Sequence, residues 1–388
     1  MQDYYIREFL ELPEFFIKNY FFKDKKHVFR IEKKTTYELC PICNNSTNKI
    51  HSKREQKIKD IPIRDRPVIL ILSKRRFKCL VCFKVFTEQI SSVQRYCRHT
   101  ERFLKHIYTK GVYPLKWVAK ENFISEPVAA RIFYRQADIE IGKRRHDPIT
   151  IMGIDENSFK KGSIYNTVIT DIGKRNVIEI IEGKSRKGLD EFFSNYPYCE
   201  LIRYVALDMC PLFFKSVKKH CPKAYVVIDK FHVISYVTRM LGKTRRKRTK
   251  ISLNMRITRK MLMKPYEKLS EKEKHAIDYL KKDNINFSHA YDFKERLKEF
   301  YKLNDYEAAS KEILEIIGIA MQSGYQDLIK FGRMLMKWEQ YILNYFIYNV
   351  TNGYTEGVNN RIKLIKRMSY GFRNFLNFRS KILLNFSN

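Results

Sequence analysis

The sequence predicts a multidomain chain of mixed α/β and α+β character, with a small metal-binding module and a helical module ahead of a larger α/β domain. Three observations predict it. Two C-x-x-C pairs, Cys40-Pro-Ile-Cys43 and Cys79-Leu-Val-Cys82, fall near the start. Apolar residues then recur at helical spacing over residues 98–141. From about residue 148 onward strand-like and helix-like runs alternate, and strand-like runs end at Asp155, Asp208 and Asp229.

Composition bounds the function. A length of 388 residues suggests two or three folded units, and a hydrophobic content of 44% is enough for at least one sizeable core. Lys and Arg number 76 against 42 Asp and Glu, a formal charge of +34. A chain this basic repels itself unless it meets a polyanion, so DNA, RNA or an anionic membrane are the candidate partners. No run approaches the roughly 18 apolar residues of a membrane span, and the best apolar stretch, residues 68–72, is strand-sized. Residues 1–10 are polar and mixed in charge, without the apolar core of a secretory signal. The expectation is a cytoplasmic protein with no membrane partner. Thiols stay reduced there, so the eight cysteines are poor disulfide candidates.

Taken in order, residues 1–37 are aromatic and basic and read as a short helix and a connecting strand. Each cysteine pair that follows can present two thiolates to one tetrahedral ion at about 2.3 Å. Strand-like segments at 68–72 and 74–78 lie between the pairs. A β-hairpin there would bring Cys40, Cys43, Cys79 and Cys82 together as a structural Zn²⁺ site. The competing readings are buried cysteines or a redox pair, but a redox site needs one pair beside a βαβ unit. Cys97 and His99 lie close enough in sequence to substitute, whereas Cys199, Cys210 and Cys221 have no ligand spacing and read as packing residues.

Residues 100–110 and 114–121 read as two helices, and Asn122, Phe123 and Ile124 as a turn. Ser125 then stands as an N-cap with Pro127 in the first turn, ahead of a third helix over 128–139. This is a helix-turn-helix pattern, in which the last helix enters a DNA major groove. Arg131 and Arg135 share one face of it and can reach phosphates or guanine edges. The plainer alternative is an ordinary helical hairpin. Residues 142–147 read as a linker.

The α/β part predicts strands at 149–155, 164–171 and 176–182, a helix at 185–195, a strand at 201–208, a helix at 211–220 and a strand at 224–229. Asp155, Asp208 and Asp229 end three of these strands. Acids at the carboxyl ends of strands sit where ligands bind in α/β sheets. Like carboxylates held together in a basic protein point to Mg²⁺ (or Mn²⁺), which takes oxygen ligands and substrate phosphates. Two-metal chemistry at a phosphodiester needs a third carboxylate. Glu356, at the start of a basic helix over 355–368, suits it by type, and Asp229 is its rival. Residues 243–342 are charged and helical without convincing strands, and 372–384 are aromatic and basic. Domain boundaries follow: 1–97 zinc-binding, 98–147 helix-turn-helix, 148–242 the first part of a catalytic core, 243–342 a helical insertion, and 343–388 the rest of that core.

These residues resemble one family, the ISL-three family of bacterial insertion-sequence transposases, over nearly the whole chain. The motifs are the two knuckles, Gly153-Ile-Asp-Glu156 with Tyr165 and Asp171, and Ala206-Leu-Asp-Met209. They continue with Ala224-Tyr-Val-Val-Ile-Asp-Lys-Phe-His-Val233, Thr355-Glu-Gly-Val-Asn-Asn-Arg-Ile-Lys363 and Lys366-Arg367-Met-Ser-Tyr-Gly-Phe-Arg-Asn-Phe375. The resemblance implies a zinc-binding module, a helix-turn-helix and an RNase H-like catalytic domain with Asp155, Asp208 and Glu356 as its DDE triad. Asp229 and His232 carry over as a signature whose role is auxiliary. The family usually has Arg where this chain has Lys230, which keeps charge but loses bidentate geometry. The implied activity is metal-dependent cleavage and strand transfer at terminal inverted repeats. The implied partners are double-stranded DNA, both repeats and target, and further copies of the chain assembled on it at the nucleoid. Arg361, Lys363, Lys366 and Arg367 are expected to contact phosphates. The competing readings are a DNA-binding regulator whose RNase H-like domain is inactive, and a nuclease acting on RNA.

Overall fold

The computed structural model describes residues 10–143, 147–160, 164–246 and 258–386. The chain forms two compact units, Met1–Arg144 with Leu364–Asn385, and Arg145–Lys363 with Phe386–Asn388. The expected linker at 142–147 lies partly outside the described residues, as do residues 1–9.

The first unit opens with a correction. The segment expected to hold a helix and one strand is an antiparallel hairpin of β1 (Phe15–Lys23) and β2 (Lys26–Lys33). Its two-residue turn places Asp24 and Lys25 at φ 50° and 58°. A tight turn with both central residues left-handed matches the twist of the flanking strands, so the hairpin wins over a helix. Two short strands follow, β3 (Glu38–Leu39) and β4 (Ser46–Thr47), then β5 (Ile50–Ile63), β6 (Arg66–Lys78) and β7 (Val85–Thr87). The segments read as two strands between the knuckles are one continuous strand, β6, paired antiparallel with β5. Arg64 and Asp65 close that hairpin at φ 49° and 55°. The sheet runs β1-β2-β6-β5, with β7 against β6. Alternation on β6 sends Val68, Leu70 and Leu72 into a core with Phe15, Phe29, Ile31, Ile58 and Val93. Arg75 on β6 and Glu88, just after β7, form a buried ion pair at 2.7 Å.

Three helices follow: α1 (Glu101–Lys110), α2 (Leu115–Glu121) and α3 (Glu126–Gly142). Thr100 caps α1 by accepting from the Phe103 amide. Its hydroxyl also donates to Asp60 on β5 at 2.6 Å, and Arg102 adds a bond from Nε to the same carboxylate at 2.9 Å. The helices thus start from the sheet at a fixed point. Phe103, Ile107, Val118 and Ile132 form their shared core.

The second unit holds β8 (Ile151–Lys160), β9 (Ile164–Asp171), β10 (Asn176–Glu182), α4 (Arg186–Asn195), β11 (Tyr204–Leu207), α5 (Pro211–His220), β12 (Tyr225–Ile228) and α6 (Lys230–Arg246). The sheet order is β10-β9-β8-β11-β12. The first three strands are antiparallel, and β11 joins both β8 and β12 in parallel. Beyond α6 come α7 (Arg259–Met263), α8 (Glu271–Asp283), α9 (Ile285–Phe300), α10 (Tyr306–Gln322) and α11 (Gln326–Tyr348). Among the described residues between α6 and α11 there is no strand. The helices share one apolar core with the sheet, including Phe213, Val226, Phe287, Phe293, Phe331 and Trp338. On α9 the ammonium of buried Lys294 donates to the carbonyls of Leu262 (3.1 Å) and Lys264 (3.3 Å), and burial pushes it down to about 8. The chain then enters α12 (Gly353–Met368), which belongs to the second unit through Lys363 and to the first from Leu364, and ends in α13 (Phe375–Asn385).

Candidate active site and zinc knuckles

Three of the expected acids collect at one edge of the second unit's sheet. Asp208 and Asp229 follow the last residues of the parallel strands β11 and β12. Asp155 needs a correction: it is not the last residue of its strand, because β8 continues to Lys160. The antiparallel partner β9 goes on pairing (Asp155 with Val168), while the parallel partner β11 stops at Gly153. Asp155 therefore stands at the carboxyl edge of the parallel part of the sheet, beside the other two strands' ends.

His232, in the first turn of α6, joins them. Its Nε2 lies 3.5 Å from Asp155 Oδ1 and 3.9 Å from Asp229 Oδ2. Burial pushes the Asp155 carboxyl up to about 6, opposed by His232 and reinforced by Asp208 and Asp229. Asp208 and Asp229 are also raised by burial, again opposed by His232. Asp208 Oδ1 is buried with no hydrogen-bond partner.

Glu356 lies in the first turn of α12, and its helix is pinned to β8 and β9 by three neighbours. Asn352 Nδ2 donates to the Ile154 carbonyl at 3.2 Å. The hydroxyls of Thr355 and Thr170 bond at 2.7 Å. Asn359 Nδ2 donates to Asp155 Oδ2 at 2.8 Å, and Asn157 Nδ2 holds Asn359 through its Oδ1 at 2.9 Å. The close approach depends on Gly153: a Cβ there would lie 2.6 Å from Asn352 Oδ1 and closer still to the Thr170 and Thr355 hydroxyls. Sequence reasoning missed this set. Asn352, Thr355, Glu356 and Asn359 recur at helical spacing, and that periodicity was the available signal.

The structure does not draw Asp155, Asp208 and Glu356 as tightly as the ligands of a bound ion. Among the described residues, the acids of the sheet edge whose ligand atoms do lie within 4.8 Å of one another are Glu156 and Asp208, with Cys210. Glu156 is also ion-paired with Lys184.

In the first unit the knuckles close. The sulfurs of Cys40, Cys43, Cys79 and Cys82 all lie within 4.8 Å of one another, with Cys40–Cys82 and Cys43–Cys79 both at 3.5 Å. The two turns repeat one geometry. Cys40 N donates to Asn45 O and Cys79 N to Lys84 O, both at 2.9 Å. Asn44 and Phe83, each just after the second cysteine, take φ 57°. The Asn45 side chain is the largest cause holding Cys43 down, to about 6, ready to act as a thiolate. Cys97 and His99 do not substitute: Cys97 packs against the sheet core and His99 stacks on Phe103 at 5.1 Å. Arg131 and Arg135 are both exposed on α3, and Arg135 Nη2 reaches Gln94 Oε1 at 3.5 Å. Arg361 is exposed on α12 with its guanidinium 4.7 Å from the Phe386 ring centre, and Lys363 and Arg367 are exposed as well. Lys366, on the same helix, is half-buried.

Two features thus coexist in one chain, a four-cysteine cluster at zinc-ligand spacing and a sheet edge that carries three buried or half-buried aspartates. Comparison with known proteins gives that combination its family. A family model described as a transposase matches residues 152–382, and one described as the zinc-finger of transposases IS204, IS1001, IS1096 and IS1165 matches residues 37–82. The chain belongs to the ISL3 (ISL-three) family of DDE transposases, enzymes that move DNA. It is 26% identical over 355 residues to the transposase for insertion sequence element IS1001 of Bordetella parapertussis, covering 86% of this chain and 85% of that one. It is 23% identical over 277 residues to the transposase for IS1557 of Mycobacterium tuberculosis, covering 63% of this chain and 61% of the relative. The zinc-finger match and the four-cysteine cluster together support structural zinc. No described helix is long and apolar enough to cross a membrane.

Proposed function

We propose that this transposase cuts and joins DNA strands at the terminal inverted repeats of its insertion sequence, using Asp155, Asp208 and Glu356 as the carboxylates that hold Mg²⁺ or Mn²⁺. The observation that carries the reading is the 2.8 Å bond from Asn359 to Asp155. It ties the helix bearing Glu356 to the edge where Asp155 and Asp229 face His232. The donors suit a hard cation. They are carboxylate oxygens, Asp208 Oδ1 is buried without a partner, and burial makes all three aspartates costly to ionise alone. A divalent ion held there would lower the pKa of an attacking water or 3′-hydroxyl and neutralise charge at the leaving oxygen.

The chain's own residues do the rest. Asn359 fixes the orientation of Asp155. His232 offsets the repulsion among the aspartates and so serves, with Asp229, as an auxiliary to the triad. Gly153 admits the helix that carries Glu356. The order of three antiparallel strands followed by two parallel ones supports an RNase H-like core. Residues 243–342 then stand as a helical insertion within it. On the DNA side, Arg131 and Arg135 are the groove-reading pair, and Arg361, Lys363, Lys366 and Arg367 contact phosphates. Cleavage of two ends in concert calls for more than one copy of the chain on the DNA, and that DNA places it at the nucleoid.

The test is a strand-cleavage and end-binding assay on a terminal-repeat duplex with Mg²⁺ or Mn²⁺. Asp155→Asn, Asp208→Asn and Glu356→Gln should bind ends without cutting. Full cleavage by Glu356→Gln, with none by Asp229→Asn, would reassign the third acid to Asp229. Binding without cleavage by the unaltered chain would instead leave a DNA-binding regulator.

A further inference from the structure

The first unit carries two adjoining clefts that the catalytic reading leaves unused. One, of about 550 Å³, lies against α3 and is lined by Arg95, Arg98, Arg131 and Arg135 with Tyr96. The other, of about 470 Å³, lies over the β5–β6 hairpin and is lined by Arg54, Lys74, Arg76, Arg95 and Arg98, again with Tyr96. They share Arg95, Tyr96 and Arg98, so the basic lining is continuous from the hairpin to the helix.

Three details show that this lining is built for an anion. Lys74, only 6% exposed, lines the hairpin cleft beside Arg54, Arg76 and Arg95. Its burial, together with Arg54 and Arg95 and against the pull of Glu88, holds its pKa below the ordinary lysine range. Glu55 also lines the hairpin cleft, but its carboxylate is engaged by Arg30 at 3.1 Å. Finally, the turn closed by Cys97 N to Gln94 O at 3.0 Å presents Tyr96 with 82% exposure and a left-handed φ of 64°. The Arg95 guanidinium sits 4.9 Å from the ring centre, so an aromatic face and a cation are offered together.

We propose that the hairpin cleft, with Lys74 at its floor and Arg54, Arg76, Arg95 and Arg98 at its rim, grips the phosphate backbone of the same DNA duplex whose major groove α3 enters. Phosphate oxygens would balance the cluster of cations lining the cleft, and a duplex is long enough to occupy both clefts at once. Helix contacts give sequence preference, and the cleft gives affinity and register without reading bases. The proposal rests on the reading of the helical module as DNA-binding and adds a second contact surface to it.

The experiment uses the full chain, a labelled terminal-repeat duplex and a random duplex, and a salt series. Each phosphate contact contributes about 0.9 to the slope of log affinity against log salt. The double variant Arg95→Ala/Arg98→Ala changes exposed side chains only, and should flatten that slope by roughly 2 on both duplexes alike. Lys74→Met keeps the volume and should flatten it by roughly 1, with a thermal melt confirming the fold. Arg131→Ala should instead reduce preference for the terminal repeat. Unchanged slopes in the double variant, with Arg131→Ala still losing preference, would overturn the cleft while sparing the helix. A double-stranded RNA that competes as well as DNA would overturn the assignment to DNA. Failure of the unaltered chain to bind any duplex would remove the underlying reading instead.

Discussion

The zinc knuckles and the carboxylate edge are both candidate metal centres, and they are built in opposite ways. Each knuckle is a local turn: two cysteines three apart, a backbone bond closing the loop, and a left-handed residue just after. One long hairpin, β5 and β6, then suffices to bring the turns together. The carboxylate edge takes its members from three strands and two helices, at chain separations of up to 204 residues, as between Asp155 and Asn359. The knuckle sulfurs already lie at ligand spacing, whereas the proposed triad is not drawn to that spacing. A thiolate cage for a structural ion can be fixed by the backbone. An oxygen site that must admit DNA depends on what holds its acids in place.

The comparison can be broken most sharply at the acids. Asp155→Asn or Asp208→Asn should lower strand cleavage by roughly a thousandfold or more, the scale on which losing one member of a catalytic constellation acts, while leaving end binding within a few-fold. A similar loss of binding would show that the acids support the fold instead. The knuckles should respond the other way. Cys40→Ser, or a zinc chelator, should abolish cooperative melting of the first unit and with it DNA binding, since structural zinc contributes about 10–16 kcal/mol in small modules. A folded, DNA-binding Cys40→Ser protein would contradict a structural role for the ion.

Smaller effects test the contacts that hold Glu356. Asn359→Ala should weaken divalent-ion affinity by about 10–100-fold, measured by Mn²⁺ titration of cleavage, without moving the melting temperature much. Gly153→Ala forces the helix off the strand and should cost about 1–3 kcal/mol of stability as well as activity, read by denaturant unfolding. Equal stability in Gly153→Ala would mean the helix does not need that approach.

The smallest expected effect is on pH. Asp155 is raised from its ordinary value of 3.8 to about 6, so the folded chain holds a proton that the unfolded chain has lost across that window. Stability without divalent ions should therefore fall, through this group, as pH rises from about 4 to about 6. Ion binding needs the carboxylate, so it should strengthen with pH over the same range and level off above it. The rise in melting temperature on adding Mn²⁺ should be larger at pH 7 than at pH 5. In Asp155→Asn that difference should shrink. A shift independent of pH would place the ion away from Asp155.

The sequence alone determined whatever depends on neighbours in the chain. The C-x-x-C turns, the helices on either side of the 122–124 turn, the strands that carry the acids and the basic face of α12 are all set by short-range spacing and by where apolar residues repeat. Ser125 holds the N-cap position of α3 as expected, but its side chain makes no capping bond. The hairpin of β1 and β2 stayed hidden, since no Gly marks its turn at Asp24 and Lys25. Tertiary structure alone decided which strands run side by side, so that β8 extends past Asp155 on one side and stops on the other. It also decided that Asn359 faces Asp155, that Gly153 lies under Thr355, and that Lys74 is buried near Arg54 and Arg95. The reason is physical. Local patterns select an element and its buried face, but a contact between residues far apart in the chain exists only once packing has chosen the register, and no spacing in the sequence encodes that choice.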